Sequence, residues 1–588
     1  YPLLSAKVLD SAPMTTLARG LAVGGSFLTA QALSLWALLG PVSNADWTKG
    51  FRAYFSNDQL SYAAIAVNSS QSIGSSAEPL TGTGVSFYPS GWYHFLGLVN
   101  NVTGVPVNLL WQVLGLATIG IAIAILGLIA HTLSRRWWAP ILPGLALFTG
   151  TLSIYIHDYW YTSLSAHAVI WGPFGTLFTL NSGAIALMGG TVALALILWH
   201  LLAPSRSNTR IFIAAALIGL LANLHTYAFF TTASFAAAFI TLTALITAKS
   251  RRRTVLVIAA TGLVLVFGNP IAALIGPLPL FALLLLVTAI AAYPFIKSNL
   301  YTTFSLIALA GIAASPQVIR TLLGIASQDE FLAYRQGSSL DLGVPLIAAA
   351  VAAVPLILFA IYILFVSRVM PGRSQEVIYS FFAATAIGAV IMSTNDLWGF
   401  NQEPYRFWLQ YSIITGFLIS ILLAYALSFQ QKRTGLAVLV VAVLLWLISL
   451  ADFAGFFSYA REQGVLPTQD SRALAIQEHT KEIPSGSREL ILSSRCTDPQ
   501  LLKLITSRPV AFFNYGLAWP DNREEIKNLT QADRMTGDTL IGLQAAQVGY
   551  VITDSNCDSD WAYTEAGINM ISITPYDSGA LTLWRVTA

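Results

Sequence analysis

Charged residues are scarce in this 588-residue sequence. Asp, Glu, Lys and Arg make up 10% of it, whereas ordinary soluble domains carry about 25%. This deficit excludes a purely soluble protein. The net charge is only +3, and the basic residues fall in short clusters between apolar segments instead of forming one continuous face. A nucleic acid is therefore excluded as a partner.

Cysteine is almost absent, and two other features are missing. The two cysteines, Cys496 and Cys557, stand in the polar C-terminal part, where an oxidising compartment would allow them to pair. The sequence alone leaves open whether they form a disulfide bond. No cleavable signal peptide is recognisable. No long internal repeat stands out either, so the pattern does not favour an inverted-repeat transporter.

What the sequence does contain is a series of apolar segments close to the length that crosses about 30 Å of hydrocarbon. We count about thirteen of them by the sliding-window rule. They cover residues 17–39, 107–133, 139–156, 183–202, 211–224, 229–248, 255–274, 279–295, 304–325, 344–366, 378–392, 407–427 and 436–457. The sequence therefore predicts a polytopic α-helical membrane protein.

The Arg and Lys residues between these segments predict the orientation of the chain. Positive residues near membrane segments stay on the cytoplasmic side, and every second loop here is basic. The basic clusters lie at residues 135–136, 206–210, 249–253, 297, 368–373 and 432–433. With an odd number of spans and a cytoplasmic N-terminus, loop 41–106 and everything after residue 457 lie outside. We therefore predict a multi-pass protein of the inner (plasma) membrane.

From residue 458 onward the composition becomes that of a soluble α/β domain. Apolar stretches at 489–494, 509–513, 549–553 and 580–586 predict strands, and segments 499–506 and 539–547 predict helices. About 120 residues are enough to bury a core of their own. The predicted organisation is thus a transmembrane domain, residues 1–457, followed by an extracytoplasmic α/β domain, residues 458–588.

The first outer loop, 41–106, contains two motifs. Residues 57–62 (NDQLSY) place Asp58 ahead of an amphipathic stretch that predicts a helix along the membrane surface. A solvated carboxylate, stabilised by the dipole at a helix N-terminus, is the alternative explanation of Asp58. Residues 87–94 (FYPSGWYH) combine aromatic side chains with a Pro/Gly turn, and an aromatic belt at the membrane interface also explains them.

Both motifs resemble those of a known family. Residues 58–62 (DQLSY), after the first predicted helix, resemble the Asp-Glu-x-x-Tyr/His element in the first outer loop of type C glycosyltransferases, multi-spanning enzymes that use lipid-phosphate sugars. Residues 88–94 (YPSGWYH) resemble a Tyr-Pro-x-x-Trp-His block in actinobacterial integral-membrane proteins of that kind. The resemblance covers the first outer loop, the layout of spans and the outer domain. Gln59 replaces the second acidic residue of the element, and Tyr93 separates Trp92 from His94.

The resemblance implies a GT-C-like fold and an inverting transfer of a sugar from polyprenyl phosphate. The acceptor would be a cell-envelope glycan or glycolipid on the outer membrane face, and the sugar would be arabinofuranose or mannose. Asp58 would be the general base that takes a proton from the acceptor hydroxyl. Tyr62, Tyr88, Trp92 and His94 would line the cavity beside it.

Charged residues in other predicted outer loops complete the candidate site. A phosphate leaving group calls for a cation, and Arg406 enters the penultimate span from outside, next to Glu403 and Tyr405, which would also line the cavity. An Arg406 that snorkels to the interface or pairs with Glu403 is the alternative. Arg335 is a second external cation for the donor phosphate.

Four further polar residues lie in the predicted outer part. His157 and Asp158 in the second outer loop would bind the acceptor or a divalent metal, and the cofactor is otherwise unknown. His225 and Tyr227, between two short spans, either line the same cavity or are satisfied core residues.

Two other functions are compatible with the sequence. A flippase or transporter for a lipid-linked sugar would share the cavity and the phosphate-binding arginine, but it would not need Asp58. A non-catalytic scaffold for envelope assembly would act through the C-terminal domain instead. If the protein is an enzyme, the predicted sidedness indicates a lipid-carried donor, because nucleotide-sugar donors do not reach the outer face.

Overall fold

The computed structural model describes residues 15–40, 50–52, 56–72, 74–152, 155, 172–204, 207–338, 344, 346–430, 432–463, 465–467, 470–484, 487, 489–493, 496–513, 518–519, 526, 537–557 and 568–586. The helices up to residue 463 are α1 (Thr16–Leu39), α2 (Ser56–Gln71), α3 (Gly91–Thr103), α4 (Val107–Ser134), α5 (Ile141–Leu145), α6 (Gly172–Phe178), α7 (Ser182–Leu202), α8 (Thr209–Leu224), α9 (Thr226–Ala248), α10 (Arg251–Val266), α11 (Gly268–Ile275), α12 (Pro277–Ser298), α13 (Leu300–Ala326), α14 (Glu330–Ser338), α15 (Leu346–Ser367), α16 (Gly372–Ser393), α17 (Pro404–Leu427) and α18 (Lys432–Gln463). Three later helices are α19 (Ser471–Lys481), α20 (Pro499–Thr506) and α21 (Gly537–Ala545). The strands are β1 (Gly50–Arg52), β2 (Val465–Pro467), β3 (Leu490–Leu492), β4 (Val548–Asp554), β5 (Ile568–Tyr576) and β6 (Gly579–Val586).

Nine helices in the described part of the chain are long and apolar enough to cross a bilayer, or ten if the bent pair α10 and α11 forms one span. The nine are α1, α4, α7, α9, α12, α13, α15, α16 and α17. This confirms the predicted polytopic α-helical architecture. The count of about thirteen spans stays a prediction.

Helices α7 and α17 form the centre of the helical bundle. In their most apolar windows, 78% and 89% of the residues are buried, compared with 11% in α13. A helix that is apolar on every side is typical of such a central position, because every face meets another helix. The exposed apolar side chains of α13 instead suit contact with lipid.

The predicted span 139–156 is wrong as one continuous helix. Helix α5 is only five residues long, a 3₁₀ turn follows at Ala146–Phe148, and residues 149–152 are not helical. Pro143 and Gly144 inside α5 disfavour a longer helix. The non-helical chain is stabilised from outside, since the backbone N–H and hydroxyl of Thr151 donate to the Asp452 carboxylate of α18 at 2.6 and 2.8 Å.

The predicted span 255–274 also contains a break. Helices α10 and α11 meet at an angle of 64°. Gly268 begins α11, and a Cβ atom at this position would collide with the backbone carbonyl of Trp398. The close approach of the loop before α17 therefore requires glycine here.

The C-terminal domain is built on a four-stranded sheet with the order β3-β4-β6-β5. Strands β3 and β4 are parallel, whereas β6 is antiparallel to both β4 and β5. Alternation along the strands creates two apolar clusters, one packed with α19 and α20 and the other with α21. The predicted α/β fold is confirmed, although the predicted strand 509–513 is reduced to one bridge between Val510 and Ile491.

A disulfide bond joins Cys496 and Cys557, whose Cα atoms lie 6.1 Å apart. It links the turn before α20 to the turn after β4, at a sequence separation of 61. A cross-link over such a loop stabilises mainly by restricting the unfolded chain. The disulfide therefore closes the connection from β3 to β4 into one loop.

Replacing both cysteines with serine is expected to destabilise the C-terminal domain by about 2–4 kcal/mol. The midpoint of thermal unfolding of the purified protein measures this loss. A reducing agent should lower the midpoint of the wild type and leave the double variant unchanged. Equal midpoints of the oxidised wild type and the double variant would contradict the stabilising role.

The first outer loop and the C-terminal domain share a buried pair of opposite charges. Glu78 and Lys503 are 0% and 2% exposed. The Glu78 carboxylate also accepts hydrogen bonds from the backbone N–H groups of Leu80 and Thr81 and from the Thr81 hydroxyl. Burial raises the pKa of Glu78 from 4.5 to about 7, although these hydrogen bonds and Lys503 oppose the rise. Burial lowers the pKa of Lys503 from 10.5 to about 8, against the attraction of Glu78.

Lys503→Met is expected to make stability more sensitive to alkaline pH. A raised carboxyl pKa means that Glu78 stabilises the fold fully below pH 4.5 and that this contribution is lost as the pH rises through 7. Without the lysine this pKa rises further, so the variant should lose about 1–2 kcal/mol more stability than the wild type between pH 5 and pH 8. Thermal unfolding between pH 5 and 8 tests this. The exposed Lys481, changed to Met, is the control that should show no such trend.

Candidate functional site

Helix α2 carries Asp58 in its first turn and Tyr62 one turn later. The predicted helix is present, but most of its described side chains are buried, because α3 and α20 pack against it. Its position along the membrane surface stays a prediction. Its buried residues are Gln59, Leu60, Ser61, Ala63, Ala64, Ile65, Ala66, Val67 and Ser69. Gly97 of α3 permits the close packing, since a Cβ atom there would collide with the carbonyl of Ala66. The first turn of α2 is thus held in a defined position.

A cavity of about 190 Å³ lies beside this turn. The loop before α3, the start of α9, the start of α12, helices α13 and α14 and the start of α17 form its other walls. The lining residues are Asp58, Tyr62, Phe87, Tyr88, Pro89, His225, Thr226, Tyr227, Phe230, Pro277, Leu278, Gln317, Thr321, Ile325, Phe331, Leu332, Gln402 and Arg406. The structure therefore brings Asp58, Tyr62, Tyr88 and Arg406 together, and His225 and Tyr227 join them.

Arg406 projects from the first turn of α17. Its Nε donates a hydrogen bond to the carboxylate of Glu403, which is 3% exposed and also accepts a hydrogen bond of 3.2 Å from the Tyr405 hydroxyl. The guanidinium carbon lies 5.1 Å from the ring centre of Tyr227. Within the described part of the chain, neither Nη nitrogen of Arg406 donates a hydrogen bond. Glu403, supported by Tyr405, thus fixes the position of the guanidinium. Neither residue lines the cavity, although the sequence predicted that both would.

A column of four aromatic rings fixes the wall on which Tyr62 and Tyr88 lie. The ring of Tyr62 stacks on Tyr88 and Tyr93 at centroid distances of 5.5 and 5.2 Å, and Tyr93 stacks on Trp111 of α4 at 5.4 Å. Stacked rings of this kind add to the stability that burial alone provides. Burial raises the pKa of Tyr62 well above its usual range, so its hydroxyl keeps its proton at neutral pH.

Helix α13 clamps the loop that carries Tyr88. Arg320 donates hydrogen bonds to the carbonyl of Ser86 at 2.6 Å and to the hydroxyl of Ser90 at 3.4 Å. Gln317, one turn earlier, donates to the carbonyl of Phe87 at 2.8 Å and also lines the cavity. Polar side chains at positions i, i+3 and i+4 of an apolar helix are the signal that sequence reasoning missed here.

Trp92 and His94 lie outside the cavity wall that the sequence assigned to them. The His94 ring bonds to the hydroxyl of Ser69 on α2 and, at 2.8 Å, to that of Ser90. Burial lowers the pKa of His94, and Arg320 adds to this effect. Trp92 is 6% exposed and packs on Phe95. Trp92 and His94 lie on α3, where successive side chains are rotated by about 100°, so their directions are set by the helix. Tyr88 lies in the loop before α3 and lines the cavity.

Three candidates are not placed at the site. His157 and Asp158 lie outside the described residues. Arg335 belongs to α14, a helix whose residues Phe331 and Leu332 line the cavity, but the description of the structure does not extend to its side chain. A predicted phosphate contact from Arg335 thus stays a prediction.

Among the described residues, one group of three side chains could hold a metal ion. It consists of Cys496, Asp554 and Cys557, but both sulfur atoms are used in the disulfide. Asp58 belongs to no group of three such side chains within the described residues. A divalent metal bound by His157 and Asp158 stays a prediction.

No family model and no curated protein matches the sequence. Several solved structures align with the chain. Archaeal oligosaccharyltransferase AglB from Archaeoglobus fulgidus, in complex with an inhibitory peptide and a dolichol-phosphate, is 14% identical, with 90% of this chain and 69% of that chain covered and a TM-score of 0.47. ArnT from Cupriavidus metallidurans, bound to undecaprenyl phosphate, is 12% identical, with 96% and 99% covered and a TM-score of 0.42. At these identities and TM-scores, the likeness carries no argument about the reaction or ligands of this chain.

Proposed function

We propose that this protein is a membrane glycosyltransferase that transfers a sugar from a polyprenyl-phosphate donor to a cell-envelope glycan or glycolipid. The observation that supports this most is that Asp58 and Arg406 line the same cavity, although they come from opposite ends of the transmembrane domain. A carboxylate and a guanidinium are the two groups that a sugar transfer with a phosphate leaving group requires.

Asp58 is the general base in this proposal. Its carboxylate accepts the proton of the acceptor hydroxyl as that oxygen forms a bond to the anomeric carbon of the sugar. The bond from the anomeric carbon to the phosphate oxygen breaks in the same step, and its electron pair leaves with the polyprenyl phosphate. The attack inverts the anomeric centre, and a phosphate leaving group makes an acid catalyst less necessary than in glycoside hydrolysis.

Arg406 stabilises the phosphate that leaves. Its Nη nitrogens are the donors that remain after Nε has bonded to Glu403, and a guanidinium fork matches phosphate oxygens. Gln317, Thr321 and Gln402 supply polar contacts for sugar hydroxyls on the same walls. Pro277, Leu278 and Ile325 give the cavity an apolar side that suits the lipid chain next to the phosphate.

The choice of donor and sugar rests on two predictions from the sequence. The alternation of basic loops predicts that the cavity lies on the outer membrane face, where a lipid-carried donor is available and a nucleotide sugar is not. The sugar, arabinofuranose or mannose, is what the resemblance of segments 58–62 and 88–94 to type C glycosyltransferases implies.

Reconstitution in liposomes tests the proposal. The purified chain, supplied with radiolabelled polyprenyl-phosphate arabinofuranose or mannose and an envelope glycan, should form a labelled glycosidic product, and a nucleotide sugar should give none. Movement of the labelled lipid between leaflets without a product would identify a flippase instead. Absence of both activities with both donors would reject the proposal.

A further inference from the structure

The C-terminal domain contacts the chain both before and after Asp58. Ahead of α2, strand β1 pairs with β2, so that Phe51 lies opposite Leu466 in an antiparallel ladder. After Asp58, the side-chain amide of Gln500 on α20 donates a hydrogen bond to the hydroxyl of Ser61. The first turn of α2 therefore lies between two attachments to the part of the chain that follows the last membrane helix.

Gln500 is itself held firmly. Asp498 caps α20, since its carboxylate accepts hydrogen bonds from the backbone N–H of Gln500 at 2.8 Å and of Leu501 at 3.4 Å. Gln500 and Ser61 are 3% and 0% exposed. A buried hydrogen bond between two side chains on well-packed helices has little freedom to shift. Movement of α20 is thus transmitted to Ser61.

Ser61 lies three residues after Asp58 on α2, which places the two side chains on neighbouring turns of one helix face. The next residue, Tyr62, is fixed separately, because its ring stacks on Tyr88 and Tyr93. Gln500 does not line the cavity, so it acts through α2 and does not touch the substrate. The rotation of the first turn about the helix axis is set by Ser61 on one side and Tyr62 on the other.

We propose that Gln500 is a positioning residue for Asp58, so that the C-terminal domain is a structural part of the catalytic centre. The inference rests on the proposed function. A base must be held within a few tenths of an ångström of the proton it removes, and small displacements cost large factors in rate. Loss of the Gln500–Ser61 bond therefore affects the chemical step and leaves donor binding at Arg406 intact.

The chain offers a matched control at the other end of α2. The amide of Gln71 donates to the backbone carbonyl of Ser507 at 2.8 Å, so it also joins α2 to the C-terminal domain. It lies thirteen residues beyond Asp58, which is about 20 Å along the helix. Gln71→Ala also removes a glutamine hydrogen bond between the same two parts of the protein, here an exposed bond to a backbone carbonyl, far from the base.

The experiment compares Gln500→Ala, Ser61→Ala, their double variant and Gln71→Ala in the full-length protein in liposomes. Gln500→Ala should lower kcat about tenfold with an unchanged KM for the polyprenyl-phosphate sugar, and Gln71→Ala should stay within a factor of two of the wild type. The double variant should be no slower than the slower single variant, because each single variant already removes the same Gln500–Ser61 bond. Equal rates of Gln500→Ala and Gln71→Ala, or a rise in KM alone, would overturn the inference.

Hydrogen exchange separates this inference from the proposed function. Gln500→Ala should increase deuterium uptake in residues 56–62 more than Gln71→Ala does, whether or not the wild type transfers sugar. A wild type without transferase activity would reject the proposed function, whereas unchanged exchange in 56–62 would reject the positioning role.

Discussion

Asp58→Asn is expected to lower the rate of sugar transfer about 10³-fold, within the range typical of a lost general base. The amide has nearly the same shape as the carboxylate but does not accept the proton of the acceptor hydroxyl. Because Asp58 occupies the first turn of a helix packed on several sides, the substitution should leave the fold unchanged. The initial rate at saturating donor and acceptor measures the loss, and binding of the donor should change little.

A matched control tests whether the loss is specific. Asp577 is an exposed carboxylate in the turn between β5 and β6 of the C-terminal domain. Asp577→Asn should transfer sugar at the wild-type rate. If Asp58→Asn inserts stably and is as active as this control, Asp58 is not the base.

Arg406 is expected to control the affinity for the lipid phosphate. Arg406→Lys keeps the charge but loses the fork of donors, so binding of polyprenyl phosphate should weaken about tenfold. The double change Arg406→Ala with Glu403→Gln removes two charge-assisted hydrogen bonds of about 1.5 kcal/mol each, which corresponds to about 100-fold. The double change is preferable to Arg406→Ala alone, because that variant would remove the cation that balances the charge of the buried Glu403 carboxylate.

The binding of a short-chain polyprenyl phosphate to the detergent-solubilised protein measures these effects. Arg373 is an exposed arginine near the start of α16 and remote from the cavity residues in the structure, so Arg373→Lys serves as the control. Affinities of the Arg406 variants equal to that of this control would show that Arg406 only pairs with Glu403. If high salt also weakens the binding of polyprenyl phosphate to the wild type, the result would support a contact between Arg406 and the phosphate.

Much of the fold is readable from local patterns. A membrane span can be recognised from one local property, a run of about 20 residues without polar side chains. Most of the predicted segments are accordingly helices in the structure. The failures occur where distant contacts decide. Segment 139–156 is apolar enough to span, yet Thr151 bonds to Asp452 on α18 instead of continuing a helix. The strand predicted at 509–513 pairs through Val510 alone.

The candidate site was predictable in part for the same reason. Asp58 and Arg406 stand out because charge is rare beside membrane segments, where it costs free energy and therefore marks a candidate functional residue. Trp92 and His94 belong to an equally suggestive motif, but the rotation of α3 against α2 turns them away from the cavity. Gln317 and Arg320 were missed because they lie inside a segment whose hydropathy marks it only as a span.

The sequence by itself determined the class of the protein, its helical segments, its α/β C-terminal domain and the residue types suited to base and phosphate chemistry. These properties follow from composition and from periodicity over a few residues. Only the tertiary structure decided that Asp58 and Arg406 share a cavity and that Gln500 holds the helix of Asp58. Such contacts join residues hundreds of positions apart, and they depend on which helix faces pack together, which no local pattern specifies.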